Sequence, residues 1–294
     1  MQPAPSLISP EPQTVPTTSG HSESEVCDAD HVRRFRGSQR QRRRPHEPAT
    51  RLGDDRRLHL IGIGSSKTGT VSLAAIFEQE YRTAHEADVG ELEDLLRAEQ
   101  RGEMTSDAVA AALEVRDARL RLEVDSNQLN QPFTPHLVRL FPRARFVFTV
   151  REPRSWIDSF YSHRIDDTPA GDWKRVLERE LDGLPYPPEE EELRQLGLPP
   201  IATRLEKWRR SFELASAVPD DRLLVLRTHE ISRSLDHLAE FAGVDVATLA
   251  AEQSHSNRAG QKHHVLDRVD PSHVDRLIEA HCEPWLGRWF PDAG

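Results

Sequence analysis

Two cysteines in 294 residues leave little room for sulfur chemistry. Cys27 sits in a polar N-terminal stretch and Cys282 near the C-terminus, which excludes a disulfide framework and a thiolate metal centre. His229, Glu230, His263 and His264 do not fall at a metal-ligand spacing such as H-E-x-x-H, so no metal is expected and these four read as structural or surface residues. No apolar run approaches the ~18 residues of a membrane span, and the N-terminus has no apolar signal-peptide core. The expectation is therefore a soluble, cytoplasmic protein without a membrane span. Excess positive charge is missing too: the net charge is −10, so the bulk surface makes no case for nucleic-acid binding. Lysine is scarce, with Lys67, Lys174, Lys207 and Lys262 the only four among thirty-nine basic residues.

The chain divides by composition. Met1 to Asp55 is rich in Pro, Ser, Thr and Arg and almost free of periodic apolar residues, the signature of a disordered tail. Within it, the stretch from Arg33 to Arg44 holds seven arginines and no acidic residue. Such a run suits nucleic acid, a membrane surface or an acidic partner, and equally a solvated arginine-rich tail. Residues 56–294 are enough for one α/β domain with a sizeable core.

In that domain strands and helices alternate. Strands are predicted at Leu58–Ile63, Leu120–Val124, Phe146–Val150 and Leu223–Leu226. Helices are predicted at Gly69–Glu80, Val89–Ala118, Pro135–Phe141, after Pro153, at Ile201–Ala217, Leu235–Ala242 and Ser272–His281. The pattern implies a central parallel sheet flanked by helices, P-loop-like, with ligands beyond the strand C-termini. Pro185 to Glu192 and Gly197 to Pro200 interrupt it with a short acidic helix bracketed by prolines, either a lid over a site or a surface insertion.

Two segments carry chemistry. Ile61 to Leu73 runs from an apolar strand through small residues into a helix start. Its backbone amides and helix N-terminus form an anion cradle, with Lys67 supplying charge and Thr68, Thr70 and Ser72 supplying hydroxyls. It is not a Walker A loop: Gly64 and Gly69 have the right separation, but Thr70 stands where lysine should be and Lys67 precedes Gly69 by two. In the second segment a buried strand ends on Arg151, and Pro153 opens a helix that carries Ser159. A guanidinium and a hydroxyl so placed could converge on one phosphate. Both Lys67 and Arg151 follow strand ends and so lie on one side of the sheet.

The stretch K-x-G-T-x-S-L beginning at Lys67 resembles the 5′-phosphosulfate loop of sulfotransferases that use 3′-phosphoadenosine 5′-phosphosulfate (PAPS). R-x-P-x-x-x-x-x-S-x-Y beginning at Arg151 resembles the same family's 3′-phosphate motif. The likeness is nearest to the bacterial and carbohydrate-type branch, and only these two motifs are specific. It implies that the amides from Ser66 to Val71, including Thr68 and Gly69, with Thr70 and Ser72, hold the 5′-phosphosulfate. Lys67 would offset charge there, and Arg151 and Ser159 would bind the 3′-phosphate. By the same resemblance Arg258 and Lys262, in a basic loop without the family's glycine-lysine-glycine form, are candidate 3′-phosphate contacts. No metal is needed, since lysine and amides neutralise the charge.

The resemblance points to a base after the anion-loop helix, where Glu86 is the first choice and His85 the second. The histidine that the family's cytosolic branch places after its second strand has no counterpart, since Val124 to Gln128 contains none. Asp125 and Ser126 occupy that neighbourhood and are read either as touching acceptor or Lys67, or as capping a helix. The implied reaction is sulfuryl transfer to a hydroxyl or amine of a small-molecule or carbohydrate acceptor. The alternatives are a P-loop small-molecule kinase and a non-catalytic nucleotide-binding protein.

Overall fold

Alternate residues of the central strands part to opposite faces of one sheet, and each face grows its own core. The computed structural model describes residues 55–166, 183–255 and 262–290. Its five strands are β1 (Leu60–Gly62), β2 (Thr83–His85), β3 (Val124–Ser126), β4 (Arg145–Val150) and β5 (Leu223–Arg227). They pair in the order β2-β3-β1-β4-β5, every pair parallel. The α-helices among the described residues are α1 (Thr70–Phe77), α2 (Val89–Gln100), α3 (Ser106–Leu120), α4 (Thr134–Leu140) and α5 (Pro153–Asp166), then α6 (Glu191–Gln195), α7 (Ile201–Ala215), α8 (Leu235–Ala242) and α9 (Pro271–Trp289).

The two-residue strand period sorts the packing. Leu60, Val124, Val147, Leu224 and Leu226 face α1 and α8, whose Leu73, Ile76, Phe77, Leu238 and Ala242 complete the smaller core. Ile61, Phe146, Phe148 and Val150 face the larger core, built with Leu92 of α2, Val109 of α3 and Leu137 of α4. Trp156 and Phe160 of α5, Trp208 and Phe212 of α7 and Val274 of α9 join the same cluster. Both faces of the parallel sheet are thus covered, as its crossover helices require. Gly62 lets α1 close on the sheet: a Cβ there would lie 3.0 Å from both Leu73 Cδ2 and Ser126 Oγ.

Strand order also fixes where a ligand belongs. The chain leaves β1 for β2 on one side of the sheet and leaves β4 for β5 on the other. A crevice therefore opens between the C-terminal ends of adjacent β1 and β4. The loops that fill it carry Lys67 and Arg151.

The structure departs from the sequence-based elements at several places. The expected 120–124 strand is displaced: Leu120 ends α3, Arg121 closes it in a left-handed conformation (φ 49°), and β3 starts only at Val124. The expected 89–118 helix breaks into α2 and α3 around Gly102 (φ 70°), with Thr105 capping α3 through the Ala108 amide. The stretch 81–88, to which the sequence assigns no element, contains edge strand β2. The last helix is longer than expected and runs through Pro284. The acidic, proline-bracketed segment is docked on the core instead of standing out as a surface insertion. Glu190 is fully buried, accepts the Ile201 amide at the start of α7 (2.9 Å) and meets His273 Nε2 of α9 (2.9 Å). Cys282 is buried in α9, and that burial pushes its thiol up to about 12.

Candidate active site

The loop after β1 is held closed from all sides. The Thr68 hydroxyl lies 2.6 Å from the Ser65 carbonyl, to which it donates, and 2.8 Å from the Thr149 hydroxyl of β4. Thr228, just past β5, places its hydroxyl 2.6 Å from the Thr68 carbonyl and 2.9 Å from that of Val150, donating to one or the other. The Trp156 indole donates to the Ser66 carbonyl at 2.7 Å. Two glycines make this closeness possible. A Cβ on Gly64 would sit 1.9 Å from Thr149 Oγ1, and Gly69, at φ 106°, would drive one to 2.5 Å from Ile231 Cδ1.

Lys67 takes a left-handed conformation (φ 64°) without being glycine, and its ammonium nitrogen is shielded from solvent. Backbone held in that region costs of order 1–3 kcal/mol and recurs at ligand sites. Immediately beyond, Gly69 caps α1, whose first amides, at Thr70, Val71 and Ser72, have no acceptor within the helix. Val71 is half-buried, while Thr70 and Ser72 are buried. The free amides and the positive end of the dipole thus lie at the start of α1, immediately after Lys67 in the chain.

Arg151 closes its other side. Its Nη1 approaches the Lys67 carbonyl at 3.5 Å, the outer limit of a hydrogen bond, and its Nε donates to Ser155 Oγ at 3.1 Å. The Trp208 indole of α7 holds the Arg151 carbonyl at 2.9 Å. Burial lowers the Arg151 pKa from its ordinary value, opposed by the more distant Glu152 and Asp158. Neither carboxylate bonds to it: Glu152 instead caps α5 by accepting the amides of Arg154 (2.8 Å) and Ser155 (2.7 Å), and Asp158 accepts the Val265 amide (3.1 Å). Among the described residues this desolvated guanidinium is hydrogen-bonded only to neutral oxygens, which leaves its charge uncompensated at short range.

Ser159 lies one turn beyond Ser155 on the same face of α5, half-buried, with no hydrogen-bond partner among the described residues. Lys262 is exposed and adjoins His263, whose amide donates to Ser162 Oγ at 3.1 Å. The structure thus brings Lys262 to the helix that carries Ser159. Arg258 lies outside the described residues.

Beside α1, parallel register places His85, Ser126, Gly62 and Val147 in one row. Ser126 donates to the Thr70 carbonyl at 2.8 Å, and His85 Nε2 meets the Thr70 hydroxyl at 3.1 Å. Burial pulls the His85 pKa below its ordinary value, with Lys67 acting in the same direction and Glu86 and Asp125 opposing. Glu86 is left-handed (φ 55°), donates its amide to the Ser126 carbonyl (2.9 Å) and accepts the Gln128 side-chain amide (3.2 Å). Arg116 and Asn127 both donate to the Ala87 carbonyl at 3.0 Å, pinning the turn that presents Glu86. Asp125 is the partner of Arg116 at 2.6 Å, so Asp125 and Ser126 brace the site and neither caps a helix.

Residues 59–185 match the model of the sulfotransferase domain family. Over that segment the chain is similar to sulfotransferase domains. Several solved structures are similar at low identity. A sulfotransferase from Alicyclobacillus acidocaldarius shares 15% identity over 76% of this chain and 95% of its own, with a TM-score of 0.40. One from Mycobacterium avium shares 14% over 80% of this chain and 78% of its own, at 0.42. The sulfotransferase domain of the Synechococcus PCC 7002 olefin synthase shares 17% over 76% and 86%, at 0.33. No curated protein matches the chain.

The matched segment spans β1 to α5, and so includes the Lys67 and Arg151 segments. Parts that complete the site lie beyond it: Thr228 after β5 and Trp208 in α7. Sequence reasoning missed both, as it missed Ser155 and Gln128. Ser155 sits four residues after Arg151, a helical spacing that could have drawn attention to it. For Trp208, 57 positions from its partner, no local signal exists.

Proposed function

We propose that residues 56–294 form a PAPS-dependent sulfotransferase domain, preceded by a tail over 1–55, and that it sulfates a hydroxyl or amine of a small-molecule or carbohydrate acceptor. Arg151 carries this reading, as a half-buried cation that touches the anion loop and has no carboxylate partner among the described residues. PAPS, when bound, supplies the activated sulfuryl group.

The residues divide the work. Amides from Ser66 to Val71, with Thr70 and Ser72, hold the 5′-phosphosulfate end, and Lys67 offsets charge that develops on the transferring group and leaving oxygen. Arg151 and Ser159 bind the 3′-phosphate, with Arg258 and Lys262 as further contacts from the C-terminal loop. Glu86 removes the acceptor proton as the acceptor oxygen or nitrogen bonds to sulfur, and the displaced phosphate oxygen keeps the electron pair. His85, neutral at neutral pH, orients Thr70 and is the second candidate for the base. Thr68 is committed to Ser65 and Thr149, so it contributes through its backbone.

The kinase alternative gains nothing from the neighbouring carboxylates, because Asp125 is paired with Arg116 and Glu152 caps α5. Calorimetric titration with 3′-phosphoadenosine 5′-phosphate tests the proposal. Saturable binding by the wild type, lost in Lys67→Ala and Arg151→Ala, is expected. No wild-type binding, or equal affinity for ATP, overturns it.

A further inference from the structure

We infer that Ser155 is a positioning residue that aims Arg151 and thereby sets the preference for a 3′-phosphorylated nucleotide, an inference that rests on the donor reading above. The argument starts from the hydroxyl's single proton. A serine hydroxyl donates once and accepts through its lone pairs. Ser155 Oγ is 3.1 Å from the Glu152 carbonyl, which can only accept, so the proton points there. Its lone pairs are then left facing Arg151 Nε, which donates at 3.1 Å.

Two consequences follow from this polarity. Ser155 cannot donate to a phosphate oxygen without abandoning the Glu152 carbonyl, so it acts through Arg151 instead of touching the ligand. And the Nε edge of Arg151 is occupied, while one Nη1 hydrogen points towards the Lys67 carbonyl. The donors left for an anion are on the Nη1 and Nη2 end. Ser155 on one side, the Lys67 carbonyl on the other and the Trp208 indole behind the backbone thus present the guanidinium end-on to a phosphate. Ser159, on the same face of α5, supplies the hydroxyl that still has a proton to give.

Replacing this serine leaves the helix intact. The cap of α5 uses the Ser155 backbone amide, which bonds to Glu152 Oε2 at 2.7 Å and survives any side-chain change. Alanine is also the best helix former. The test is calorimetry with two probes, 3′-phosphoadenosine 5′-phosphate and adenosine 5′-phosphate, on wild type, Ser155→Ala, Ser155→Thr, Arg151→Ala and the Ser155→Ala/Arg151→Ala double variant. Removing a hydrogen bond to a charged group predicts a roughly tenfold loss for the 3′-phosphorylated probe in Ser155→Ala. Affinity for the probe lacking that phosphate should be unchanged, threonine should restore binding, and the double variant should be no weaker than Arg151→Ala.

Equal losses for both probes, or additive losses in the double variant, would overturn the inference, as would wild-type affinity in Ser155→Ala. Failure of the wild type to bind the 3′-phosphorylated probe would instead remove the donor reading itself.

Discussion

The Arg151 guanidinium reaches the Lys67 carbonyl across 84 positions of sequence, at 3.5 Å. This contact joins the loops after β1 and β4 and brings the two short motifs together. A lysine at 151 would keep the charge and lose the planar fork, so it could not serve the Lys67 carbonyl, Ser155 and an anion together. Arg151→Lys should weaken binding of 3′-phosphoadenosine 5′-phosphate by roughly ten- to a hundredfold, the range for hydrogen bonds to charged groups. Titration calorimetry reads the loss, and undiminished affinity would place the anion elsewhere.

Gly69 is the loop position least able to accept a side chain. At φ 106° an added methyl is strained and collides with Ile231 Cδ1. Gly69→Ala should cost about 1–3 kcal/mol of stability, seen as a lower urea midpoint, and should weaken nucleotide binding because the amides of α1 start at that residue.

Burial, reinforced by the Lys67 charge, holds the His85 imidazole below its ordinary pKa against the fields of Glu86 and Asp125. The ring is therefore neutral at neutral pH. With Glu86 as base, Glu86→Gln should lower kcat about 10²–10⁴-fold while nucleotide affinity, measured separately, stays within about twofold. His85→Asn should lose less. The reverse ranking would transfer the base role to His85.

Glu123 provides a pH test of stability remote from the site. Burial raises its pKa, but the Arg57 side chain and the amides of Arg82 and Arg57 outweigh that and bring it down to about 2, from 4.5. The unfolded chain therefore binds this proton more readily, and the stabilisation, present above pH 4.5, is lost as pH falls towards 2. Urea midpoints measured from pH 6 to pH 2.5 should fall, and Glu123→Gln should flatten that dependence.

Glu190 gives a further substitution with a clear direction. Glu190→Ala strands the Ile201 amide and His273, both buried, and should cost about 3–5 kcal/mol. Chemical denaturation of the variant checks it, and a change under about 1 kcal/mol would show that the pairing contributes little.

The strand-to-helix junctions that carry Lys67 and Arg151 were legible because their signals are local. A strand, a few small residues and a helix start lie within a dozen positions, and both follow strand ends on one side of a parallel sheet. β3 was misplaced because its middle residue is Asp125, which reads as loop until Arg116 is seen beside it. β2 was missed because three edge residues, Thr83 to His85, offer too short a period to count. Four consecutive glutamates from Glu189 suggested solvent, and only the fold reveals that Glu190 turns inward to α7 and α9. Trp208, Thr228 and Gln128 could not be found from spacing, since each meets its partner through tertiary packing.

The two indoles that clamp the Ser66 and Arg151 carbonyls have an optical consequence. Each chromophore is fastened by its ring nitrogen to a peptide group flanking the anion cradle, so any ligand that repolarises those peptides alters the electric field across the excited state. Occupancy of the proposed site should therefore register in the emission of these two among the chain's five tryptophans.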